Sequence, residues 1–354
     1  MIEIDGGYGE GGGQIIRTAL GLSSLLKLPF RIYHIRKNRP KPGLRAQHLA
    51  GVRAVKTISS ASVEGDRIDS TELAFQPGTV KGGDYRFDIG TAGATPLVLQ
   101  TLLPPLVFAD AESHLVLSGG THVPISPPMH FIREIFLPVL TGMGPEVKVS
   151  LRVYGFYPRG GGEVEAHVRP IMEGASLHRP AFPEKKSVWA VRGISAVANL
   201  PLSIAERQKK AAMEVLREIK IDTDIKVTSV SAPSPGTFVF LKAEGGACIA
   251  GFSSVGIRGK RAEVVGSEAA SAFLQYYHRD GCIDPHLADQ IVIYLALAPG
   301  TTSFTTTAIT PHLLTNLAVI KKFLDVQYTV EGQVSGPGRI SIRGAGYSRK
   351  CFSG

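Results

Sequence analysis

The chain has 354 residues, of which 44% are hydrophobic, so it can bury the core of one large domain with an insert or of two ordinary domains. With 39 lysines and arginines against 30 aspartates and glutamates, its net charge of +9 favours a polyanionic partner without naming one. Forty glycines, 23 prolines and only 19% charged residues exclude a coiled coil and indicate a mixed α/β enzyme rich in loops.

Neither a membrane span nor secretion is indicated. The apolar stretch from Pro96 to Ala109 is broken by one glutamine and two prolines, well short of the roughly 20 apolar residues that cross a bilayer. The start, MIEIDGG, has an acid and glycines where a signal peptide needs a positive charge and an apolar run. The three cysteines show neither a disulfide framework nor metal spacing, so we expect a cytoplasmic protein. They are Cys248, Cys282 and Cys351.

A β-α-β-α-β-β order is predicted twice, from strand-like runs that alternate with helical periodicity. The first unit comprises strand MIEID, a glycine loop, a helix with Ile15, Ala19, Leu22 and Leu26 on one face, strand FRIYHI, a helix after Leu44, and two strands between Val63 and Phe75. The second comprises YRFDIG, a helix around 97–103, HLVLSG, a helix from Met129 to Leu140, and strands near Val147 and Val164.

A third copy is interrupted, because its two helices, His286–Ala298 and His312–Leu324, lie far from its expected start. We therefore predict a main body of residues 1–183 and 281–354 and a small inserted α/β domain of residues 184–280. Ser203 and Glu206 have the spacing of a capping box at the first helix of the insert.

The loop GYGEGGGQIIR, from Gly7 to Arg17, places glycines between a strand and a helix, where bare N–H groups can approach an anion. It has neither the P-loop nor the dinucleotide-fold spacing, and a tight turn would also explain its glycines. Glu10 can hold a hard cation, and the planar guanidinium of Arg17 suits a phosphate. Together they suggest a metal-phosphate site.

The segment Ile35–His48 is the most basic part of the chain, and two prolines stiffen it. A charge run is often only a solvated face, but a rigid, arginine-rich loop before a helix favours phosphate binding. Its cations are Arg36, Lys37, Arg39, Lys41 and Arg45.

Two helix starts near the C-terminus repeat one design. Each has an N-cap, a proline at the first helical position and a histidine in the first turn, in DPH from Asp284 and TPH from Thr310. The positive end of a helix keeps an imidazole neutral and attracts phosphate, which suits a nucleophile in nucleotidyl transfer. From these residues alone, a tolerated polar residue at the helix start is an equal alternative.

The segment YGFYPRGGGEV, Tyr154–Val164, resembles the signature of RNA 3'-terminal phosphate cyclases, G-x-x-P-x-G-G-G-x-aliphatic after a basic residue. Tyr154 stands where that pattern has arginine or histidine. Five other segments resemble the family in the same order, so the likeness covers essentially the whole chain. They are GEGGGQIIR, KPGLRAQH, GTAGATPLVLQ, HLADQ and HLLTN.

This resemblance implies an α+β fold of three repeated β-α-β-α-β-β units, like the C-terminal domain of translation initiation factor three, with the smaller domain inserted into the third. It also implies ATP-dependent conversion of an RNA 3'-terminal phosphate to a 2',3'-cyclic phosphate, through a histidyl-AMP enzyme and an RNA adenylate.

The resemblance assigns roles position by position. His312 would be the nucleophile, and Glu10 would bind a divalent metal, Mg or Mn. Phosphate or RNA would be bound by Arg17, Arg36 and Arg39. ATP would be bound by Gln100, Pro127, His286, Leu287, Ala288, Asp289 and Gln290. His286 replaces a tyrosine of some members and could still stack on adenine.

Two rival interpretations remain. Cyclase-like ribosome-assembly factors share the fold but bind RNA without cyclising it, and they lack the nucleophilic histidine that HLLTN retains. Enolpyruvyl transferases have a related repeat architecture and act on small anions, but no signature of theirs is apparent. Covalent labelling by ATP distinguishes the cyclase from both.

Overall fold

The computed structural model describes residues 1–184, 188–245 and 248–349, with only the backbone of Cys248. Cys282 is buried, and the side chains of Cys248 and Cys351 lie outside this description. Within these ranges no helix has the length and hydropathy to span a bilayer. The described strands form several small mixed sheets, as expected for an α+β protein.

The first sheet has the order β1-β2-β4-β3, with β1 parallel to β2 and the other two pairs antiparallel. Helix α1 connects β1 to β2, as a parallel pair requires. The elements are β1 (Ile2–Asp5), α1 (Gly13–Leu26), β2 (Phe30–Tyr33), α2 (Ala46–Ser59), β3 (Ser62–Glu64) and β4 (Leu73–Gln76).

The second sheet repeats this order and these orientations as β5-β6-β8-β7. Its elements are β5 (Gly83–Asp88), α3 (Thr95–Leu106), β6 (Ser113–Gly119), α4 (Met129–Phe131), a π-helical segment (Ile132–Phe136), α5 (Leu137–Gly142), β7 (Glu146–Val153) and β8 (Gly162–Arg169). The predicted element order of both units is therefore confirmed, although the helix expected over 129–140 is divided by the π-helical segment.

The last sheet, β13-β15-β14, has the same order without a first strand. Ile283 makes an isolated parallel bridge to Thr306 where that strand would lie. The elements are α8 (Pro285–Leu297), β13 (Pro299–Thr306), α9 (Pro311–Phe323), β14 (Gln327–Gly332) and β15 (Gly338–Ala345). Helices from all three units share one hydrophobic core.

The remaining sheet, β10-β9-β11-β12, precedes α8 in the chain, and its central strand β11 is buried on both faces. Phe238 and Phe240 of β11 join the main core, while the alternate residues Val239 and Leu241 pack in a second core with α6 and α7. The elements are β9 (Ala190–Ala198), α6 (Leu202–Leu216), β10 (Asp222–Ser229), β11 (Gly236–Gly245), β12 (Cys248–Val255) and α7 (Ala262–His278). Double burial explains the apolar run TFVFLKA.

The predicted capping box of α6 is wrong. The helix begins at Leu202, with Pro201 at the N-cap and no capping side chain. Proline has its φ fixed near the value this position needs, and the first N–H groups lie on an exposed surface where water can satisfy them. Ser203 and Glu206 are therefore already inside the helix.

The signature segment 154–164 joins the second sheet to the loop after β10. Arg159 Nη1 donates a hydrogen bond to the Pro233 carbonyl at 3.2 Å, and the Tyr154 N–H donates to the Ser231 carbonyl at 3.0 Å. The Tyr154 ring stacks on His122, with centroids 5.1 Å apart. Tyrosine at this position thus replaces a basic residue in a buried aromatic cluster.

We predict that Gly236→Ala destabilises the junction between this segment and β11. A Cβ at Gly236 would lie 2.0 Å from Cγ of the buried Phe156 ring, so the cost should be about 1–3 kcal/mol of unfolding free energy. Urea denaturation measures it as a lower midpoint at an unchanged slope. The control is Gly142→Ala in α5, where an added Cβ meets nothing within 4 Å. Equal midpoints for the two variants would contradict the packing argument.

Candidate active site

A cavity of about 660 Å³ lies between α1, α3, α8, α9 and the sheet of residues 190–255. This volume is in the range of small-molecule sites. Ten of the twelve predicted site residues line it: Glu10, Arg17, Arg36, Arg39, Gln100, Pro127, His286, Asp289, Gln290 and His312. Leu287 and Ala288 do not, because their side chains are buried in the main core.

The glycine loop brings its backbone against functional side chains. A Cβ at Gly12 would lie 2.1 Å from Glu10 Oε2, and one at Gly13 would lie 2.1 Å from His48 Nε2. Gly12 is the N-cap of α1 and Gly13 its first residue, so the free N–H groups of the helix start face this space. A close approach, in addition to a turn, therefore explains these two glycines.

Glu10 connects the loop to the histidine of α9. Its Oε1 contacts the Arg39 guanidinium, and its Oε2 lies 3.5 Å from His312 Nδ1. Both Oε2 and Nδ1 are buried without a hydrogen-bond partner within the described chain. A buried carboxylate oxygen without a partner fits a divalent cation that takes most of its other ligands from a substrate phosphate and water.

Both predicted helix starts are confirmed. Thr310 Oγ1 accepts a hydrogen bond from the Leu313 N–H at 3.0 Å, and Asp284 Oδ1 accepts two from His286 and Leu287, each at 2.9 Å. The prolines occupy the first helical positions. This capping aims both histidine-bearing first turns into one cavity.

His312 is held neutral. Burial, and then the positive charges of Arg17 and Arg39 and the nearby His286, lower its pKa to about 4. Its side chain is still 44% exposed toward the cavity. At pH 7 the ring therefore has a lone pair and is accessible, as a nucleophile requires.

His286 opens into the same cavity, and the surrounding protein desolvates it enough to lower its pKa. Its ring meets Phe131 edge to face, with centroids 6.4 Å apart. Nearby, Gln100 Nε2 donates to Gln290 Oε1 at 2.5 Å. An aromatic face beside paired amides suits a flat, polar group such as a nucleobase.

Arg17 and Asp289 face each other across α1 and α8. Burial lowers the Arg17 pKa to about 10, a loss that Asp289 partly offsets, so the guanidinium is still charged at neutral pH. Burial, and then Asp284, raise the Asp289 pKa well above its usual value, against the effect of Arg17. Asp289 thus offsets only part of the effect of burial on Arg17, and the charged guanidinium can bind a phosphate.

Of the basic loop, only Arg36 and Arg39 reach the cavity among its cations. Arg36 Nη1 is fixed by the Lys41 and Gly43 carbonyls at 2.6 and 3.0 Å, while Arg45 contacts Asp69 instead. The contacts of the folded chain thus place two of the five basic side chains of this loop in the site and direct the other three elsewhere.

Sequence reasoning gave no role to several polar residues of the cavity, among them His48 and Asn316. Nδ1 of His48 accepts the Arg45 N–H at 3.2 Å, so the neutral ring carries its proton on Nε2, next to Gly13. Burial, followed by Arg17, Arg36 and Arg45, lowers the His48 pKa to about 3. In the sequence, only the position of His48 at the end of the basic loop could have indicated that it belongs to the site.

A sequence model of the family RNA 3'-terminal phosphate cyclase matches residues 8–330. The chain therefore belongs to this family of enzymes. A protein of Archaeoglobus fulgidus named RNA 3'-terminal phosphate cyclase is 46% identical over 94% of this chain and 98% of its own length. Proteins of the same name from Pyrococcus furiosus and Methanopyrus kandleri are 41% and 42% identical, over 97% and 98% of this chain and 98% and 99% of theirs.

We predict that His312 titrates far below an ordinary histidine, whose pKa is about 6.5. Its ring signals in NMR spectra, assigned by their loss in His312→Gln, should have a midpoint near pH 4. Arg39→Gln removes one of the charges that disfavour imidazolium and should move the midpoint upward. A midpoint near 6.5 in the unaltered protein, or no response to Arg39→Gln, would contradict the electrostatic argument.

Proposed function

We propose that this chain converts an RNA 3'-terminal phosphate to a 2',3'-cyclic phosphate at the expense of ATP, with His312 as the nucleophile. The observation that carries the proposal is the position of His312, whose Nδ1 lies 3.5 Å from Glu10 Oε2 in a cavity lined by arginines. Because Nδ1 faces the carboxylate, Nε2 is the nitrogen left to attack phosphorus.

In the first step, Nε2 attacks the α-phosphorus of ATP. A phosphoramidate bond to AMP forms, the bond to the β-phosphate oxygen breaks, and pyrophosphate leaves. Arg17, Arg36 and Arg39 line the cavity as cations for the phosphates. Glu10 would hold a magnesium or manganese ion, which neutralises charge on the triphosphate when bound.

In the second step, an oxygen of the RNA 3'-phosphate attacks the same phosphorus and releases the His312 nitrogen, which makes an RNA adenylate. The vicinal 2'-hydroxyl then attacks the activated terminal phosphate. It loses its proton, AMP leaves, and the cyclic phosphate is formed. Three displacements at phosphorus thus replace a direct dehydration.

For the adenine end, we propose His286 as the stacking ring, with Pro127, Gln100, Gln290 and Asp289 around it. Leu287 and Ala288 contribute through the α8 backbone, since their side chains belong to the core.

We further propose that the three units resemble the C-terminal domain of translation initiation factor three, interrupted by residues 184–280. The shared strand order of the sheets supports this, as does the second core formed between Val191 and Tyr276. We also propose that the enzyme is cytoplasmic, as its cysteine content suggests.

His312→Ala should abolish the covalent adduct with α-labelled ATP, because the missing imidazole supplies the attacking nitrogen itself. His286→Ala is the matched variant, from the same position of the twin helix start. It should keep the adduct and weaken ATP binding by about 1 kcal/mol through lost stacking.

Preformed adenylylated RNA provides the control, since its cyclisation bypasses attack on ATP and should survive in His312→Ala. An adduct that persists in His312→Ala but disappears in His286→Ala would reverse the assignment. Unaltered protein that forms no adduct would favour a cyclase-like binding factor or an enolpyruvyl transferase.

RNA with a 3'-phosphate should be cyclised and RNA with a 3'-hydroxyl should not, because AMP must pass to a terminal phosphate. Paired oligonucleotides that differ only at this end test it, with cyclic product and AMP release as the measurements. Equal ATP consumption with both ends would count against the proposed acceptor.

A further inference from the structure

A second group of metal-ligating side chains lies on the outer face of the second sheet, away from the cavity. His114 of β6 is directly opposite His167 of β8 in the antiparallel register, and their rings stack with centroids 4.4 Å apart. Glu165 precedes His167 by two residues, so both project from the same face. One ligand atom from each of the three lies within 4.8 Å of the others.

We propose that His114, Glu165 and His167 bind a divalent transition-metal ion of the zinc class. Zinc binds imidazole nitrogen and carboxylate oxygen at about 2.0–2.2 Å, which places ligand atoms of one ion roughly 3.3 Å apart. Two of these side chains are half-buried and His167 is exposed, so rotation about their χ angles can close the remaining distance. Imidazole selects zinc, copper or nickel over magnesium, which distinguishes this site from the one proposed at Glu10.

A fourth ligand is available on the neighbouring strand. Asp84 of β5 is the parallel register partner of His114, and its Oδ1 lies 3.4 Å from His114 Nδ1. Its side chain is 91% exposed and so is free to reorient. Two nitrogens and two carboxylate oxygens complete a tetrahedral set, and the ion would then clip β5, β6 and β8 together.

Nearby cations leave room for the ion. Arg152 contacts Glu165 only through Oε2, at 2.7–2.8 Å, so Oε1 can bind the metal while Arg152 orients the carboxylate. Lys148, opposite His167 on β7, is paired with Glu146 at 2.5 Å. The local positive charges are thus already engaged by carboxylates.

The test uses the full chain, stripped with a chelator, and Zn²⁺ alone as the probe. Competition with a chromophoric chelator should show that the double variant His114→Ala/His167→Ala binds one equivalent fewer than the unaltered protein. Glu165→Gln should bind roughly tenfold or more weakly. The control is His278→Ala. It removes an exposed histidine that pairs with a single carboxylate, Glu218 at 2.8 Å, and it should not change the number of zinc ions bound.

Thermal unfolding gives a second measurement. Zn²⁺ should raise the melting temperature of the unaltered protein above its value in chelator, and this rise should vanish in the double variant. In chelator the two should melt together, because the altered side chains lie on the solvent face. If the double variant melts at a lower temperature in chelator, the substitutions themselves destabilise the fold, and the single variant His167→Ala is used in both measurements instead. Equal zinc stoichiometry in the unaltered protein and the histidine variants, or equal loss in His278→Ala, overturns the site.

Discussion

The arrangement of the site depends on Asn316, a buried residue whose side chain hydrogen-bonds to two neighbouring helices. Its Oδ1 accepts a hydrogen bond from Thr18 Oγ1 of α1 at 2.5 Å, and its Nδ2 donates to the Asp289 carbonyl of α8 at 2.6 Å. Asn316 itself belongs to α9, 298 positions from Thr18. Because the amide is buried, losing either partner would leave a polar group unsatisfied, so the three helices are held in one arrangement.

That arrangement gathers positive groups around neutral imidazoles. Arg17, Arg36 and Arg39 share a cavity with three histidines, and burial lowers the pKa of each ring. Such a collection of cations is unfavourable by itself, since like charges repel most strongly where water is scarce. A polyanion removes this repulsion on binding. The same field that keeps His312 neutral, as its proposed role as a nucleophile requires, therefore also favours the binding of phosphate.

The sequence was most informative where chemistry is local. The caps at Asp284 and Thr310 follow from a few adjacent residues, and the structure has them as predicted. The composition of the basic loop did not distinguish Arg36 from Arg45, and only the family resemblance did, because the contacts that set them apart involve Gly43 and Asp69. Asn316 was named only as the end of a motif, since its importance arises from packing between distant segments. The signature glycines identified the family, while their physical role is close packing: a Cβ at Gly160 would lie 2.7 Å from the Thr91 carbonyl oxygen, and one at Gly162 would lie 2.5 Å from the Gly155 nitrogen.

The sheet of residues 190–255 has one further property. Gly251–Ser253 of β12 and Ala272 of α7 complete the wall of the cavity, while the same sheet packs on the main core through Phe238 and Phe240. A molecule that fills the cavity therefore touches both parts of the protein at once. Its binding and the docking of this sheet are thermodynamically linked: each must strengthen the other by the same free energy. Cooperativity of this kind needs no moving lid, because elements from both hydrophobic cores line the same cavity.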